Sequence, residues 1–240
     1  MFTPTPKNLC CCILLLLQMT GCSSQSKLIS DSMLAVTEEK LDYFLYYPEG
    51  YEDNTDETFG LLLFLHGGGE AGGGLDDLAK NGPPKMLIDG TQFPFLVLVP
   101  QNPHKKMWWN THAVIELLDK VVTESKVDES RIYLSGLSRG GGAAWELVTQ
   151  YPKKFAALAV VCGMTPLPYA HWVDKKLPIW VFHGAKDEII PVSESDEMVK
   201  TLKDSGYTVK YTRYDNLGHN VWDKAYQNPE LYDWLAAQSR

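Results

Sequence analysis

One short stretch constrains the fold of this chain more than any other. An apolar run ending at Leu134 leads within two residues into the pattern G-x-S-x-G, formed by Gly136, Ser138 and Gly140. A helix-like pattern of small and apolar residues follows Arg139. A strand that turns directly into a helix strains the backbone at the serine and needs small neighbours, because the two elements approach closely. The pattern therefore predicts a strand–turn–helix unit that lifts the Ser138 hydroxyl clear of a sheet.

A glycine-rich loop follows an earlier apolar strand. The run 60–65 ends in His66, three glycines and Glu70. An enzyme that attacks a carbonyl group must stabilise the oxyanion that forms with preplaced N–H donors. One donor is commonly the amide after the nucleophile, and the other comes from such a glycine loop. We therefore expect the amides of Gly68 and Arg139 to form an oxyanion hole. The alternative, a phosphate-binding loop, is disfavoured because the spacing G-x-x-x-x-G-K-[ST] does not occur.

Two later loops carry an acid and a base. Asp187 lies just past a short apolar strand, and His219 lies in a loop before the C-terminal helix. Serine is a weak nucleophile at neutral pH and needs a base within hydrogen-bond reach, which an acid in turn orients. The order Ser138, Asp187, His219 along the chain is one of three known for such a triad. We therefore predict Ser138 as nucleophile, His219 as base and Asp187 as the orienting acid.

Other titratable groups receive simpler interpretations. Glu188 and Asp215 are acids near the same loops, but Asp187 stands earliest in its exit loop. His66 and His183 each follow an apolar strand and precede glycine, so both are interpreted as strand-end histidines with a backbone partner. Cys162 lies in an apolar run and is interpreted as a small buried hydrophobe. No metal-ligand cluster with usable spacing is visible, and the sequence predicts neither a metal nor a cofactor.

Taken together, the motifs resemble α/β-hydrolase esterases of the group that includes phospholipase/carboxylesterase, polyhydroxybutyrate-depolymerase-like and feruloyl- or acetylxylan-esterase-like enzymes. The resemblance covers roughly Leu41 to Arg240 and rests on five motifs. They are His66–Glu70, Pro100-Gln101, Gly136–Gly140, His183–Asp187 and Gly218-His219. The resemblance implies that the turn at Ser138 is a nucleophile elbow and that the chain hydrolyses carboxylic esters through an acyl-enzyme.

Arg139 departs from this group, whose members commonly carry a neutral residue after the serine. A cation beside the nucleophile needs a partner or a substrate to meet. We predict that Arg139 pairs with Glu70 and thereby rigidifies the oxyanion loop. The alternative is an exposed arginine.

Strand and helix patterns alternate along the chain. Alternation of this kind predicts one α/β domain with a mainly parallel, doubly wound sheet and helices on both faces. Leu41–Tyr47 is expected to be an antiparallel edge strand, and a short helix near residues 75–88 is expected to be interrupted by Gly82-Pro-Pro84. Strands are predicted at 61–65, 95–99, 132–134, 156–161, 179–182 and 208–214, and helices at 111–126, from 139 to Pro152, at 194–204 and at 230–238.

The first 36 residues are interpreted as targeting sequence. An apolar run at residues 9–17 is too short to span a bilayer, and Met19-Thr-Gly-Cys22 resembles a bacterial lipobox. We therefore predict a signal at 1–22, a lipid on Cys22, a polar tether at 23–36 and a catalytic domain at 37–240. This would place the protein in a bacterial cell envelope, on a membrane surface. The alternatives are an ordinary cleaved secretory signal and an uncleaved anchor.

The substrate is the least determined part of this interpretation. Trp108, Trp109, Trp172 and Trp222 fall in loops at the catalytic edge, where large rings suit aromatic or sugar groups. The resemblance to these esterases implies a short-acyl or hydroxycinnamoyl ester, from a small molecule or a plant glycan. A net charge of −8 argues against a nucleic-acid partner. Two alternatives stay open, namely a serine peptidase of the oligopeptidase type and a non-catalytic lipoprotein that binds glycan.

Overall fold

Seven strands form one sheet in the order β1-β3-β2-β4-β5-β6-β7. The computed structural model describes residues 39–52 and 56–240. The strands are Tyr43–Tyr46 (β1), Phe59–Leu65 (β2), Leu96–Pro100 (β3), Val127–Leu137 (β4), Ala157–Val161 (β5), Ile179–Gly184 (β6) and Val209–Tyr214 (β7). β1 pairs antiparallel with β3, as the sequence predicts for the edge strand, and all other pairings are parallel.

Helices cover both faces of this sheet. They are Gly82–Ile88 (α1), Thr111–Glu124 (α2), Arg139–Gln150 (α3), Val192–Asp204 (α4), Trp222–Tyr226 (α5) and Pro229–Ala236 (α6). Alternate residues of β2 point to opposite faces, so that Leu61 and Leu63 pack with α2, α3 and α4 while Leu62 and Phe64 pack toward α5 and α6. None of the helices in the described part of the chain has the length and apolar character needed to cross a membrane.

Two local features differ from the sequence-based expectation. Gly82-Pro-Pro84 does not interrupt a helix. Instead a 3₁₀ segment at Leu75–Lys80 ends before it, and Pro83 and Pro84 lie in the first turn of α1. Proline is tolerated there because its missing N–H would have no helical partner anyway. The five-residue helix α5 was not predicted, since so short a segment carries too little apolar periodicity to be recognised.

The topology brings the candidate residues to one edge. The loops that follow β2, β4, β5, β6 and β7 all leave from the carboxyl ends of parallel strands. Open α/β sheets place their sites at this edge. His66, Ser138, Cys162, Asp187 and His219 all lie in or beside these exits.

Candidate active site

Ser138 sits at a strained turn between β4 and α3. Its backbone has φ = 53° and ψ = −118°, a left-handed φ that L-residues other than glycine rarely adopt. The turn requires glycine at position 140, because a Cβ placed there would clash with the carbonyl oxygen of Leu65. The Ser138 amide donates to the carbonyl of Val161 at 2.8 Å, which fixes the turn against β5. The local geometry therefore holds the serine in one orientation.

Three side chains distant in sequence form a continuous chain of hydrogen bonds. Ser138 Oγ lies 3.0 Å from His219 Nε2, and His219 Nδ1 lies 2.7 Å from Asp187 Oδ2. Since Nδ1 faces a carboxylate, it carries the ring proton and Nε2 is left to accept the serine hydroxyl proton. This arrangement can pass a proton from the hydroxyl to the imidazole while the carboxylate balances the resulting positive charge.

Asp187 is held from several sides. Its Oδ1 accepts the amides of Ile189 and Ile190, both at 2.9 Å, while Oδ2 accepts from His219. Burial alone would raise the pKa of this carboxyl, but the bonds from His219, Ile190 and Ile189 outweigh burial and lower it. The carboxylate is therefore charged throughout the neutral range.

A second histidine reaches the same carboxylate. The fully buried His183 has its Nε2 3.1 Å from Asp187 Oδ2 and 3.0 Å from the carbonyl of Ile190, and its Nδ1 lies 2.7 Å from Ser195 Oγ. Nε2 faces two acceptors, so it carries the proton and Nδ1 accepts from the Ser195 hydroxyl. The backbone partner predicted for His183 is present. Its contact with Asp187 was missed, because spacing along a strand and its exit loop does not predict which side chains meet.

The oxyanion loop packs directly against the nucleophile. A Cβ on Gly67 would lie 3.5 Å from Ser138 Cβ, and one on Gly68 would lie 2.7 Å from Arg139 Nη2. Arg139 is the first residue of α3, so its amide has no partner within the helix. The glycine loop that carries Gly68 therefore lies beside the turn that carries Ser138 and Arg139.

The loop is anchored from beneath by polar side chains. His66 Nδ1 lies 2.7 Å from the Gly67 carbonyl, and its Nε2 accepts the Asn102 amide at 3.0 Å. Burial is the main cause of the lowered pKa of His66, which favours the neutral ring that these two bonds require. Gln101 Nε2 donates to the carbonyls of Glu70 and Gly73. These contacts preorganise the loop before any substrate arrives.

The predicted pair between Arg139 and Glu70 is not formed. Arg139 Nη1 instead donates to the carbonyl oxygens of Lys105 and Met107, each at 3.1 Å. Glu70 is buried and accepts from Asn81 Nδ2 at 2.5 Å. The amide of Asn81 supplies a neutral partner for Glu70, so this carboxylate does not need the guanidinium.

The four tryptophans predicted to meet substrate divide into two groups. Trp172 and Trp108 are 61% and 39% exposed, and the half-buried Trp222 stands edge-on to the His219 ring at 5.5 Å. Trp109 is only 4% exposed and packs against the ring of His66, 4.7 Å away. The expectation for Trp109 is therefore wrong: the ring supports the oxyanion loop from the core side and cannot present a face to substrate.

Cys162 lies under the elbow and is fully buried. Its Sγ, an oxygen of Asp187 and a nitrogen of His219 lie within 4.8 Å of one another, the one such group among the described residues. Burial raises the pKa of the Cys162 thiol, with the Asp187 charge adding to the effect, so the thiol stays neutral and is a poor metal ligand. Asp187 and His219 are already engaged with each other. Cys22, the predicted lipidation site, lies outside the described residues.

The sheet order, the elbow and the exit loops define an α/β-hydrolase of the carboxylesterase type. The model of the phospholipase/carboxylesterase family matches residues 93–232, more than half of the chain, and the chain belongs to that family. Carboxylesterase SOBER1 of Arabidopsis thaliana is 30% identical over 120 residues, which are 48% of this chain and 51% of that protein. The match therefore spans about half the length of this relative.

Solved structures agree with the fold. The crystal structure of a thermostable esterase superposes with a TM-score of 0.73 and 31% identity over 85% of this chain and 60% of the other. A ferulic acid esterase superposes with a TM-score of 0.65 and 18% identity, over 82% of this chain and 91% of the other. At that lower identity the likeness shows the fold alone.

Proposed function

We propose that this protein is a serine carboxylesterase in which Ser138, His219 and Asp187 act as a triad. The observation that carries the proposal is the hydrogen-bond chain from Ser138 Oγ to His219 and on to Asp187, at 3.0 and 2.7 Å. Membership of the phospholipase/carboxylesterase family supports the same chemistry. The acid is already ionised and the base already has the required tautomer, so no rearrangement is needed before attack.

The reaction proceeds in two halves. Ser138 Oγ attacks the ester carbonyl carbon as His219 Nε2 takes its proton, and the amides of Gly68 and Arg139 receive the oxyanion. His219 then gives the proton to the departing alcohol, which leaves an acyl group on Ser138. Water attacks this acyl-enzyme with His219 again as base, and the carboxylic acid is released. Asp187 stabilises the imidazolium in both halves.

We propose short-acyl or hydroxycinnamoyl esters, including those on plant polysaccharides, as the substrate class. The exposed rings of Trp108 and Trp172 and the ring of Trp222 beside His219 supply flat surfaces suited to aromatic or sugar groups. Turnover of p-nitrophenyl acetate, butyrate and octanoate beside methyl ferulate ranks the candidates.

We also propose that a lipid on Cys22 holds the protein on a membrane surface in a bacterial cell envelope, with 23–36 as tether and 37–240 as catalytic domain. The support is the apolar run followed by Met19-Thr-Gly-Cys22 in the sequence. Mass spectrometry of the N-terminal peptide tests this part. A lipid-modified Cys22 is expected, whereas an intact Met1 or an unmodified Cys22 contradicts it.

The central prediction concerns Ser138. Replacing it with alanine removes the nucleophile, so ester turnover should fall by about 10⁴-fold or more, and covalent labelling by a fluorophosphonate probe should vanish. Ser205→Ala is the matched control, because Ser205 is an exposed serine at the end of α4, and it should label like the wild type.

The same assay separates the alternatives. A wild-type protein that neither labels nor turns over any ester would contradict the proposal and favour a glycan-binding role. Faster cleavage of peptides than of matched esters would instead indicate a peptidase.

A further inference from the structure

Arg139, the residue after the nucleophile, contacts the loop that carries Lys105 and Lys106, and these three cations are here called the cationic wall. Arg139 follows Ser138 directly and is bonded through Nη1 to the Lys105 and Met107 carbonyls, so the loop at 105–107 and the arginine form one surface. The side chains of both lysines are exposed. Among the described residues, no ion pair within 4.0 Å includes any of the three.

The acids on neighbouring elements have other partners. Glu70 accepts from Asn81. Glu146, on the α3 face beside this loop, accepts from Trp108 Nε1 at 2.8 Å and from Thr111 Oγ1 at 2.9 Å. Glu39 lies 2.8 Å from His104. None of these acids forms an ion pair with the cationic wall, so its three cations have no direct counter-ion in a chain with a formal net charge of −8.

Helix α3 adds to this positive potential. Arg139 is the first of its 12 residues, and the amino end of a helix carries partial positive charge. The guanidinium also lies against the oxyanion loop, since a Cβ on Gly68 would be 2.7, 3.2 and 3.3 Å from its Nη2, Cζ and Nε. The charge therefore lies close to the position of the ester carbonyl, on the side of the cleft bounded by Gly68.

We propose that the cationic wall binds a carboxylate on the substrate, so that the preferred esters carry a negatively charged group near the scissile bond. This inference rests on the proposed esterase function and narrows its substrate class. With Nη1 bound to two carbonyls, the guanidinium is fixed in place, and its planar N–H edge is suited to a carboxylate. Two sources supply such esters: half-esters of dicarboxylic acids, and acylated uronic acids in acidic glycans.

Two substrate pairs distinguish the sources. On the acyl side, mono-p-nitrophenyl succinate is compared with p-nitrophenyl butyrate; on the alcohol side, O-acetylated glucuronic acid is compared with O-acetylated glucose. Background hydrolysis is measured with Ser138→Ala. The wild type should show at least about a tenfold higher kcat/KM for the anionic member of one pair. This preference should shrink as salt is raised, because the wall faces solvent.

Variants test whether Arg139 carries the preference. Arg139→Gln should bring the anionic-to-neutral ratio close to one, and Arg139→Lys should retain part of it. Lys203→Gln removes a charge from an exposed position late in α4 and should leave the ratio unchanged.

The possible results lead to different conclusions. The inference would be overturned if the wild type showed no preference in either pair. It would also be overturned if Arg139→Gln lowered kcat/KM equally for both members of each pair, because Arg139 would then only hold the loop in place. Absence of any Ser138-dependent turnover would overturn the esterase proposal itself.

Discussion

Asp187 accepts hydrogen bonds at both carboxylate oxygens, and two histidines share one of them. His219 reaches Oδ2 at 2.7 Å from the solvent side, and His183 reaches the same atom at 3.1 Å from the core. Because His183 is also bound to Ser195, the position of the acid is set by a buried network and not by the exit loop alone. We therefore assign His183 the role of a positioning residue for the acid.

Replacing His183 tests this role. His183→Leu should lower kcat by roughly 10- to 100-fold with little change in KM, because the misplaced carboxylate no longer aligns His219. His183→Gln keeps a donor near the Nε2 position and should recover part of kcat.

Ser195→Ala is the control for loosened packing. It breaks the same buried network but leaves the contact between His183 and Asp187 in place. If it lowered kcat as far as His183→Leu, the positioning role would be contradicted.

At the scale of single residues, the sequence predicts the candidate catalytic residues better than it predicts which side chains contact one another. Ser138, Asp187 and His219 were recognised because each residue type stands in a distinctive loop, and the fold brings them together. The predicted Arg139–Glu70 pair is not formed, because the prediction considered only the attraction between opposite charges. Neutral groups compete for both side chains: backbone carbonyls for Arg139 and the Asn81 amide for Glu70. The prediction that Trp109 meets substrate is wrong for another reason. An irregular loop has no periodicity, so the sequence does not show which of two adjacent rings faces the core.

Among the elements, the strands and longer helices agree with the sequence to within a few residues, because buried apolar runs and helical periodicity are strong signals. β4 is the exception. It begins at Val127, well before the predicted apolar run, and its pairing with β2 shifts register between Phe59 and Leu61. Of the five residues before Ile132, four are polar and none is buried, so no apolar pattern marks them.

The close approach of β2 to the elbow gives a prediction at the scale of elements. Gly140→Ala should lower the free energy of unfolding by about 3 kcal/mol or more, or prevent folding, because the new methyl group meets the backbone carbonyls of Leu65 and His66. Urea unfolding measures the change. Gly74→Ala is the matched control: Gly74 has φ = −83° and open space around it, so its variant should stay within about 0.5 kcal/mol of wild type.

For the whole molecule, the balance of buried apolar and charged groups determines how stability depends on pH. Two apolar clusters occupy the faces of the sheet, whereas the charged site residues lie at its carboxyl edge. At the opposite end of the sheet, Asp128 has a lowered pKa, caused mainly by its bond from Ser130. Because carboxylates at both ends of the sheet have lowered pKa values, the free energy of unfolding depends on whether they are ionised.

The sign of this linkage follows from the pKa of Asp187, which is lower in the folded chain than the value of about 3.9 for an unfolded aspartate. Its contribution to stability is complete above that value and is lost as the pH falls through the folded pKa. Urea unfolding of the wild type should therefore give a midpoint that falls below about pH 6.5, because the pKa of His66 is lowered in the folded chain, and that falls further below about pH 4 as Asp187 is protonated. Asp187→Asn should unfold more easily at pH 7, because the amide cannot accept from every former partner, yet lose less stability on acidification. Asp233→Asn, at an exposed position on α6, should show the same dependence of the urea midpoint on pH as the wild type. The same dependence in all three proteins would contradict the assignment of acid sensitivity to Asp187.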